Sequence, residues 1–496
     1  MKLPNFRVIS LDTEPEFGLS VLNYLENLQA DRAQGFRESE VSYIEGYNGK
    51  DDQHNHVSRV VLIIDEFQEM FADMESSVSK ECAKKLQQIL KQGRGFGVHV
   101  IMATQSLPDA GINYDQIMNR LVLQSTREAA EKMLNPDNPA IDIIQGYEAG
   151  QGVFNDAAGN RDSNHIVRTA LLEEKIQKTL LNEIKEHQKE LYGEWGEHNK
   201  PRLLLSSIQD DEDNQLNRYA VYGEIPKKRE LGYQLYLGES IDLIDECNIN
   251  IKARRAQNLL IVGRGSRQAS QLYGFASLSI LFDAIIKEGN NRLPEKPIIS
   301  FFDFQNERTG NGNGNGIIDH LCRECPSAFR IFGKDSLVDG LEKIKEEIDN
   351  KESIEERHFV IFAGLNRARR ILSPDNAYSM PLKKLFESAV INGPEKGYNF
   401  IVWANEPSTF CEFYGGIISE FDYRLMYDLE DSEYKQLLLS AEHISMSENN
   451  ALLYDVDRGM QKIRIYMSPM EKWFNSFVGR IKDNNKNLFE EGEFQD

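Results

Sequence analysis

Two stretches of this chain are apolar without interruption yet too short to be helices. Residues 60–64 read VVLII and run into Asp65-Glu66, while residues 99–103 read HVIMA and run into Thr104-Gln105. Short, β-branched apolar runs bounded by polar residues predict strands buried on both faces of a parallel sheet, not the alternating strands of a half-exposed one. A helix is predicted between them, ending at the Gly93-Arg94-Gly95 break. Strand, helix, strand in that order is a parallel crossover unit. Its two carboxylates stand at the C-terminal end of a strand, where open α/β sheets bind ligands. Further along, the same kind of run recurs as NLLIVG (258–263), HFVIFAG (358–364) and FIVWANE (400–406).

The first set of motifs resembles the FtsK/SpoIIIE family of ring-forming ATPases. LPNFRVISLDTEPEFGLSVLNYLENLQADRAQGF (residues 3–36) resembles the family's stretch before its acidic strand, and GRGFGVHVIMATQ (93–105) its interface arginine and sensor strand. RLVLQSTREAAEKML (120–134) and GQGVF (150–154) resemble the strands that close its ATPase core, so the likeness covers residues 1–170 in order. The family's phosphate loop, GxxxxGK[ST], belongs before Met1, and no other part of the chain supplies it; Lys50 and Lys334 follow glycines but precede aspartates. The chain is therefore expected to be the later part of a longer motor, without the amides and lysine that give most triphosphate affinity.

From residue 236 the pattern restarts: YLGESIDLIDECNINIKARRAQNLLIVGRGSRQAS resembles the entry into a second domain of the family. Laid over the phosphate-loop pattern, Gly263 and Ser270 match, but Gln268 replaces the second glycine and Ala269 the lysine. Ala363 and Gly364 stand where the acids belong, and Asn405 stands at the glutamine position. LLYDVDRGMQKIRIY (452–466) resembles the terminal hairpin. Three parts of one site have lost their chemistry together, which predicts a pseudo-ATPase domain.

The resemblance implies an α/β fold with two RecA-like, doubly wound parallel-sheet P-loop domains, the first lacking its N-terminal strand and loop and the second degenerate. The expected division is an ATPase domain over 1–175, a helical linker over 176–235, the degenerate domain over 236–475 and an acidic tail over 476–496. Duplication further predicts that Val60–Asp65 and Phe359–Ala363 are central parallel strands, each beside its sensor strand. The tandem layout also resembles the multi-ATPase motor of type VII secretion (EccC/EssC-like).

By resemblance, Asp65 holds Mg²⁺ through water and Glu66 orients the attacking water; Thr104 and Gln105 lie beside the γ-phosphate, and Arg94 reaches a neighbouring subunit's site. ATP and Mg²⁺ are the implied cofactors, usable only if the missing loop is supplied. Each residue also has a plainer reading: an acid pair capping a strand end, a loop contact for Gln105, a solvated arginine for Arg94. His320-x-Cys322-x-x-Cys325 is half of a zinc pattern, and no second pair completes it. The tract TGNGNGNG (309–316) has no lysine and reads as a loop, and Arg367, Arg369 and Arg370 form the densest basic cluster.

Composition narrows little further. Net charge is −22, which argues against a surface coated by nucleic acid but not against DNA in a ring's central channel. The implied partners are a homo-hexameric ring and double-stranded DNA, with a secreted protein as the other cargo, and a non-hydrolysing assembly module as the rival from another class. Cysteines 82, 247, 322, 325 and 411 form no framework, and no run reads as a membrane span or signal peptide, so a cytoplasmic protein is expected.

Overall fold

A computed structural model describes residues 3–484 except 11–14, 50–55, 193–201, 227–231, 288–295, 305–315, 369–378, 439–445 and scattered shorter gaps. Most of the glycine tract, Arg369, Arg370 and the tail beyond 484 lie outside the described residues. The chain divides into two compact units, residues 1–201 with 241–244, and residues 202–240 with 245–496.

Unit 1 contains β1 (Val8–Ser10), β2 (Val60–Ile64), β3 (Val98–Met102), β4 (Arg120–Leu123), β5 (Gln151–Asn155) and β6 (Asn164–Arg168). β2 and β3 pair in parallel, with Val60 opposite Val98 and Ile64 opposite Met102. β4, β5 and β6 form a separate antiparallel sheet. The helix Pro15–Glu38 opens on proline and Glu16 and closes on Arg37, the order that suits its backbone dipole. It buries Leu22, Leu25, Gln29 and Phe36, a stripe at spacings of three, four and seven. The helix Ser77–Gln92 is capped by Ser76, whose hydroxyl accepts from the Val78 amide, and buries Ser79, Cys82, Leu86 and Ile89. Both helices pack on the face formed by Val60, Leu62, Ile64, Val98, Val100 and Met102.

The opposite face of β2 and β3 is bare. Val61, Ile63 and Ile101 are 51%, 62% and 56% exposed, so the expectation of burial on both faces fails in unit 1. The expectation of a central strand fails with it: among the described residues β2 ladders only with β3.

Unit 2 contains β7 (Arg202–Leu204), β8 (Tyr233–Leu235), β9 (Gly238–Ser240), β10 (Ile249–Ile251), β11 (Leu259–Val262), β12 (Ile299–Asp303), β13 (Phe329–Phe332), β14 (His358–Ala363), β15 (Tyr398–Ala404), β16 (Tyr423–Met426), β17 (Asn450–Asp455) and β18 (Gly459–Ile465). One nine-stranded sheet runs β13-β12-β14-β15-β11-β16-β17-β18-β9, parallel from β13 to β16. Every residue of β14 and β15 is buried, as their unbroken apolar runs predict. One face packs on the helices Leu337–Asn350 and Ser379–Asn392. The other packs on the helix Ser266–Lys287. That helix is long and apolar enough to cross a membrane, yet 89% of its most apolar window is buried; it is hydrophobic all round because the core surrounds it.

The two units repeat one another in detail. Ile64 faces Met102 in unit 1, and Phe362 faces Val402 in unit 2, the same register at the matching positions. The amide of Val60 donates to Gly97 at 2.8 Å, and that of His358 to Gly397 at 2.9 Å. Gly97 and Gly397 both hold positive φ, +72° and +81°, closing a short 3-10 turn before the sensor strand. Arg120 donates to the carbonyls of Tyr114 and Met133, six residues back and thirteen on. Arg424 donates to Ile418 and Leu437 at the same offsets.

Candidate functional site

β2 delivers Asp65 and Glu66 to the C-terminal end of the parallel pair, and β3 delivers Thr104 and Gln105 beside them. Chain direction alone puts the four residues together, because parallel strands end on the same edge. Glu66 accepts from Gln105 Nε2 at 2.6 Å on one carboxylate oxygen and from Gln68 Nε2 at 2.5 Å on the other. Thr104 Oγ1 in turn donates to Gln68 Oε1. The two amide donors, Gln68 first and then Gln105, hold the Glu66 carboxyl below the usual carboxylate range. Asp65 Oδ1 accepts from the Glu66 amide at 3.1 Å.

Glu66 has φ +49°, a left-handed conformation that costs a non-glycine residue on the order of 1 kcal/mol. Its counterpart Gly364 adopts the same region at φ +88°. The turn is therefore a property of the fold, and unit 1 alone places a carboxylate on it. Gln68 was not singled out from the sequence; the only available signal was its place two residues after Glu66 in DEFQ.

Arg94 is exposed in the 3-10 turn Gly93–Phe96, before β3, at the opposite end of the strand from Gln105. The five residues of β3 span roughly 17 Å, so within one copy Arg94 does not share a site with Glu66. Its charge falls instead near Glu45, whose carboxyl is held low by hydrogen bonds from its own backbone and Arg59 ahead of any influence of Arg94.

In unit 2 the residues at the phosphate-loop position are held by their own helix and by two side-chain donors. The helix Ser266–Lys287 begins three residues after Gly263, so Gln268, Ala269 and Ser270 lie within it, and the Ala269 amide donates to the Gly265 carbonyl. Trp403 Nε1 donates to the Gly263 carbonyl at 3.0 Å, and the Tyr427 hydroxyl donates to Gly265 at 2.8 Å. Burial pushes the Tyr427 hydroxyl well up, which keeps it a donor. A Cβ on Gly263 would lie 2.6 Å from the Tyr427 ring, and one on Gly265 would strike the Gln268 amide. Ala363 is fully buried and Gly364 carries no side chain, so neither position supplies the acid found at Asp65 and Glu66.

Two residues of the His320-x-Cys322-x-x-Cys325 pattern are packed within unit 2. His320 packs edge-on against Phe474, and Cys325 is buried with its thiol pushed up to about 12 by desolvation.

No protein-family model matches the chain, and no curated protein does. Among solved structures it is similar to EssC (ATPases 2 and 3) from Geobacillus thermodenitrificans, with TM-score 0.51 and 16% identity over 90% of this chain and 78% of that one. EccC (ATPases 2 and 3) from Thermomonospora curvata aligns with TM-score 0.47 and 14% identity over 91% of this chain and 76% of that one. The EssC likeness speaks to fold alone: the chain has an α/β fold with a large, mostly parallel sheet like that of the RecA-like ATPase domains of EssC, as the motifs implied.

Proposed function

We propose that this chain is part of an ATP-driven motor of the FtsK/SpoIIIE type, with unit 1 contributing the acids of a nucleotide site and unit 2 acting as a non-hydrolysing companion. The observation that carries this reading is Glu66, held in a left-handed turn and gripped by Gln68 and Gln105 beside Asp65 at the end of a parallel sheet. The donor set fits Mg-ATP: Asp65 is an exposed carboxylate suited to holding Mg²⁺ through water, and Glu66 is oriented and kept ionised to act on a water molecule. Bound Mg²⁺ would supply charge neutralisation between the phosphates. Thr104 lies within the same hydrogen-bonded group and is suited to the phosphate side.

The cargo of this motor is double-stranded DNA or a polypeptide, and net charge does not decide between them. A net charge of −22 repels a polyanion wherever no basic lining offsets it. The likeness over 90% of the chain is to a consecutive pair of EssC ATPase domains, which supports a tandem motor without naming what it moves. A homo-hexameric ring with Arg94 acting across its interfaces completes the proposal, and a cytoplasmic setting suits it.

The deciding measurement is ATP hydrolysis by the assembly isolated from its own cells, with wild-type chain and with Glu66→Gln. Loss of the water-orienting carboxylate is expected to lower turnover by ~10²–10⁴-fold. Hydrolysis that persists in Glu66→Gln, or is absent from the wild type, leaves the non-hydrolysing assembly module as the reading. DNA as cargo would be recovered if double-stranded DNA binds at physiological salt and stimulates turnover.

A further inference from the structure

Gln68 holds the same place in unit 1 as Asn366 holds in unit 2. The Glu69 amide donates to the Glu66 carbonyl at 3.0 Å, and the Arg367 amide to the Gly364 carbonyl at 2.9 Å, so one turn is built twice. By the shared register Thr104 corresponds to Ala404 and Gln105 to Asn405. The two turn amides nevertheless face opposite ways. Gln68 presents Oε1 to the Thr104 hydroxyl and Nε2 to the Glu66 carboxylate. Asn366 presents Nδ2 to the backbone just past β15, donating to the Glu406 carbonyl at 3.2 Å. Its buried Oδ1 meets no donor among the described residues.

A carboxamide has a donor end and an acceptor end of nearly the same shape, so its neighbours decide which end faces which way. A carboxylate only accepts. If the Gln68 amide turned over, Oε1 would meet a Glu66 oxygen, two acceptors with no proton between them. A donor on the far side of the amide prevents this, and Thr104 supplies it. The Ser106 amide donates to Thr104 Oγ1 at 3.1 Å, and the single hydroxyl proton goes to Gln68 Oε1 or to the Ser106 carbonyl. In unit 2, Ala404 has no hydroxyl and Gly364 no carboxylate, and the amide is reversed. Positive φ at Glu66 and at Gly364 shows that the turn forms either way. The Thr104–Gln68 pair therefore serves the carboxylate and not the turn.

We propose that Gln68 is a positioning residue for Glu66 and that Thr104 sets the polarity of its amide. The end of β3 then governs both oxygens of the carboxylate, one directly through Gln105 and the other through the Thr104–Gln68 relay. This inference rests on the proposed function only in giving Glu66 a water molecule to orient; the relay belongs to the chain without nucleotide.

The test reads the side-chain signals of Gln68, Gln105 and Glu66 by NMR in isotope-labelled residues 1–496 at one neutral pH. Thr104→Val should shift the Gln68 amide and the Glu66 carboxyl signals together while leaving Gln105 in place. Thr104→Ser, which keeps the hydroxyl, should return both to their wild-type positions. In a Gln68→Leu background, Thr104→Val should cause no further shift at Glu66. An unmoved Gln68 amide in Thr104→Val overturns the proposal. So does a Glu66 shift of equal size with and without Gln68, or a Gln105 shift as large as that of Gln68. In the assembly isolated from its own cells, Gln68→Leu should lower kcat about tenfold with KM for ATP unchanged, a loss equivalent to one hydrogen bond to a charged group. Unchanged kcat overturns the positioning role. A wild-type assembly without hydrolysis would sink the proposed function instead, and the spectra would still decide the relay.

Discussion

Gln105 donates to Glu66 at 2.6 Å, joining the end of β3 to the end of β2 across a parallel ladder. With Gln68 on the other oxygen, the carboxylate is fixed before any ligand arrives. Glu66 is expected to lose this definition when the amides go. Gln68→Leu with Gln105→Leu should raise its pKa towards the ordinary carboxylate value of about 4.3, because both donors favour the ionised form. The sign for stability follows: the contribution of a depressed carboxyl is present above the unfolded pKa and disappears as pH falls through the folded one. Carboxyl NMR titration of wild type and double variant checks the shift, and an unchanged pKa would remove the amides as its cause.

Backbone strain at Glu66 gives a second expectation. Glu66→Gly should be more stable than Glu66→Ala by about 1 kcal/mol, since glycine alone adopts φ +49° without penalty. Both variants lose the carboxylate equally, so thermal unfolding of the pair isolates the backbone. Equal melting temperatures would mean that the turn relaxes in the alanine variant.

Arg120 is 3% exposed and satisfies the carbonyls of Ile117, Tyr114 and Met133. Replacing it with Met leaves those acceptors without their donor, a loss of about 1–3 kcal/mol for each that stays buried. Lysine should not rescue it, because a point charge cannot reach three carbonyls in a planar fork. Arg424→Met should do the same to unit 2. Differential scanning calorimetry of the two variants should show separate unit-specific losses; a single shared transition shift would argue against independent roles.

Restoring the consensus in unit 2 should fail. Gln268→Gly with Ala269→Lys should add no ATP binding by titration calorimetry, because Trp403 and Tyr427 still occupy the loop's carbonyl side and its helix still begins at Ser266. Binding at micromolar Kd after those two changes alone would show that the loop reopens.

Arg94 is separated from Glu66 along β3, so any catalytic role must be played on a neighbouring copy. With the missing loop supplied, mixing Arg94→Ala with Glu66→Gln subunits should restore hydrolysis that neither variant has, through interfaces pairing an intact arginine with an intact acid. An arginine finger is worth about 10³–10⁵ in rate, so partial rescue is measurable in a coupled ATPase assay. Mixed rings that assemble and remain inactive would return Arg94 to the solvated surface.

Strand positions, the order of the motifs and the loss of acids at Ala363 and Gly364 were legible in the sequence, because buried parallel strands announce themselves as unbroken apolar runs. The grouping of Asp65, Glu66, Thr104 and Gln105 was legible too, since strands in a parallel pair end on one edge. Which faces those strands bury was not. VVLII and HFVIFA read alike, yet the first is half bare and the second wholly covered. An apolar residue records the surroundings a complete domain gives it; whether those surroundings are present depends on neighbours far away in the chain. The hydrogen bonds that hold the second loop's carbonyls were equally hidden. Trp403 and Tyr427 lie on β15 and just past β16, more than a hundred residues from Gly263, and only folding brings their donors to its carbonyls. Gln68 joined the site for the same reason: its reach to Glu66 and Thr104 depends on a turn that local pattern does not specify.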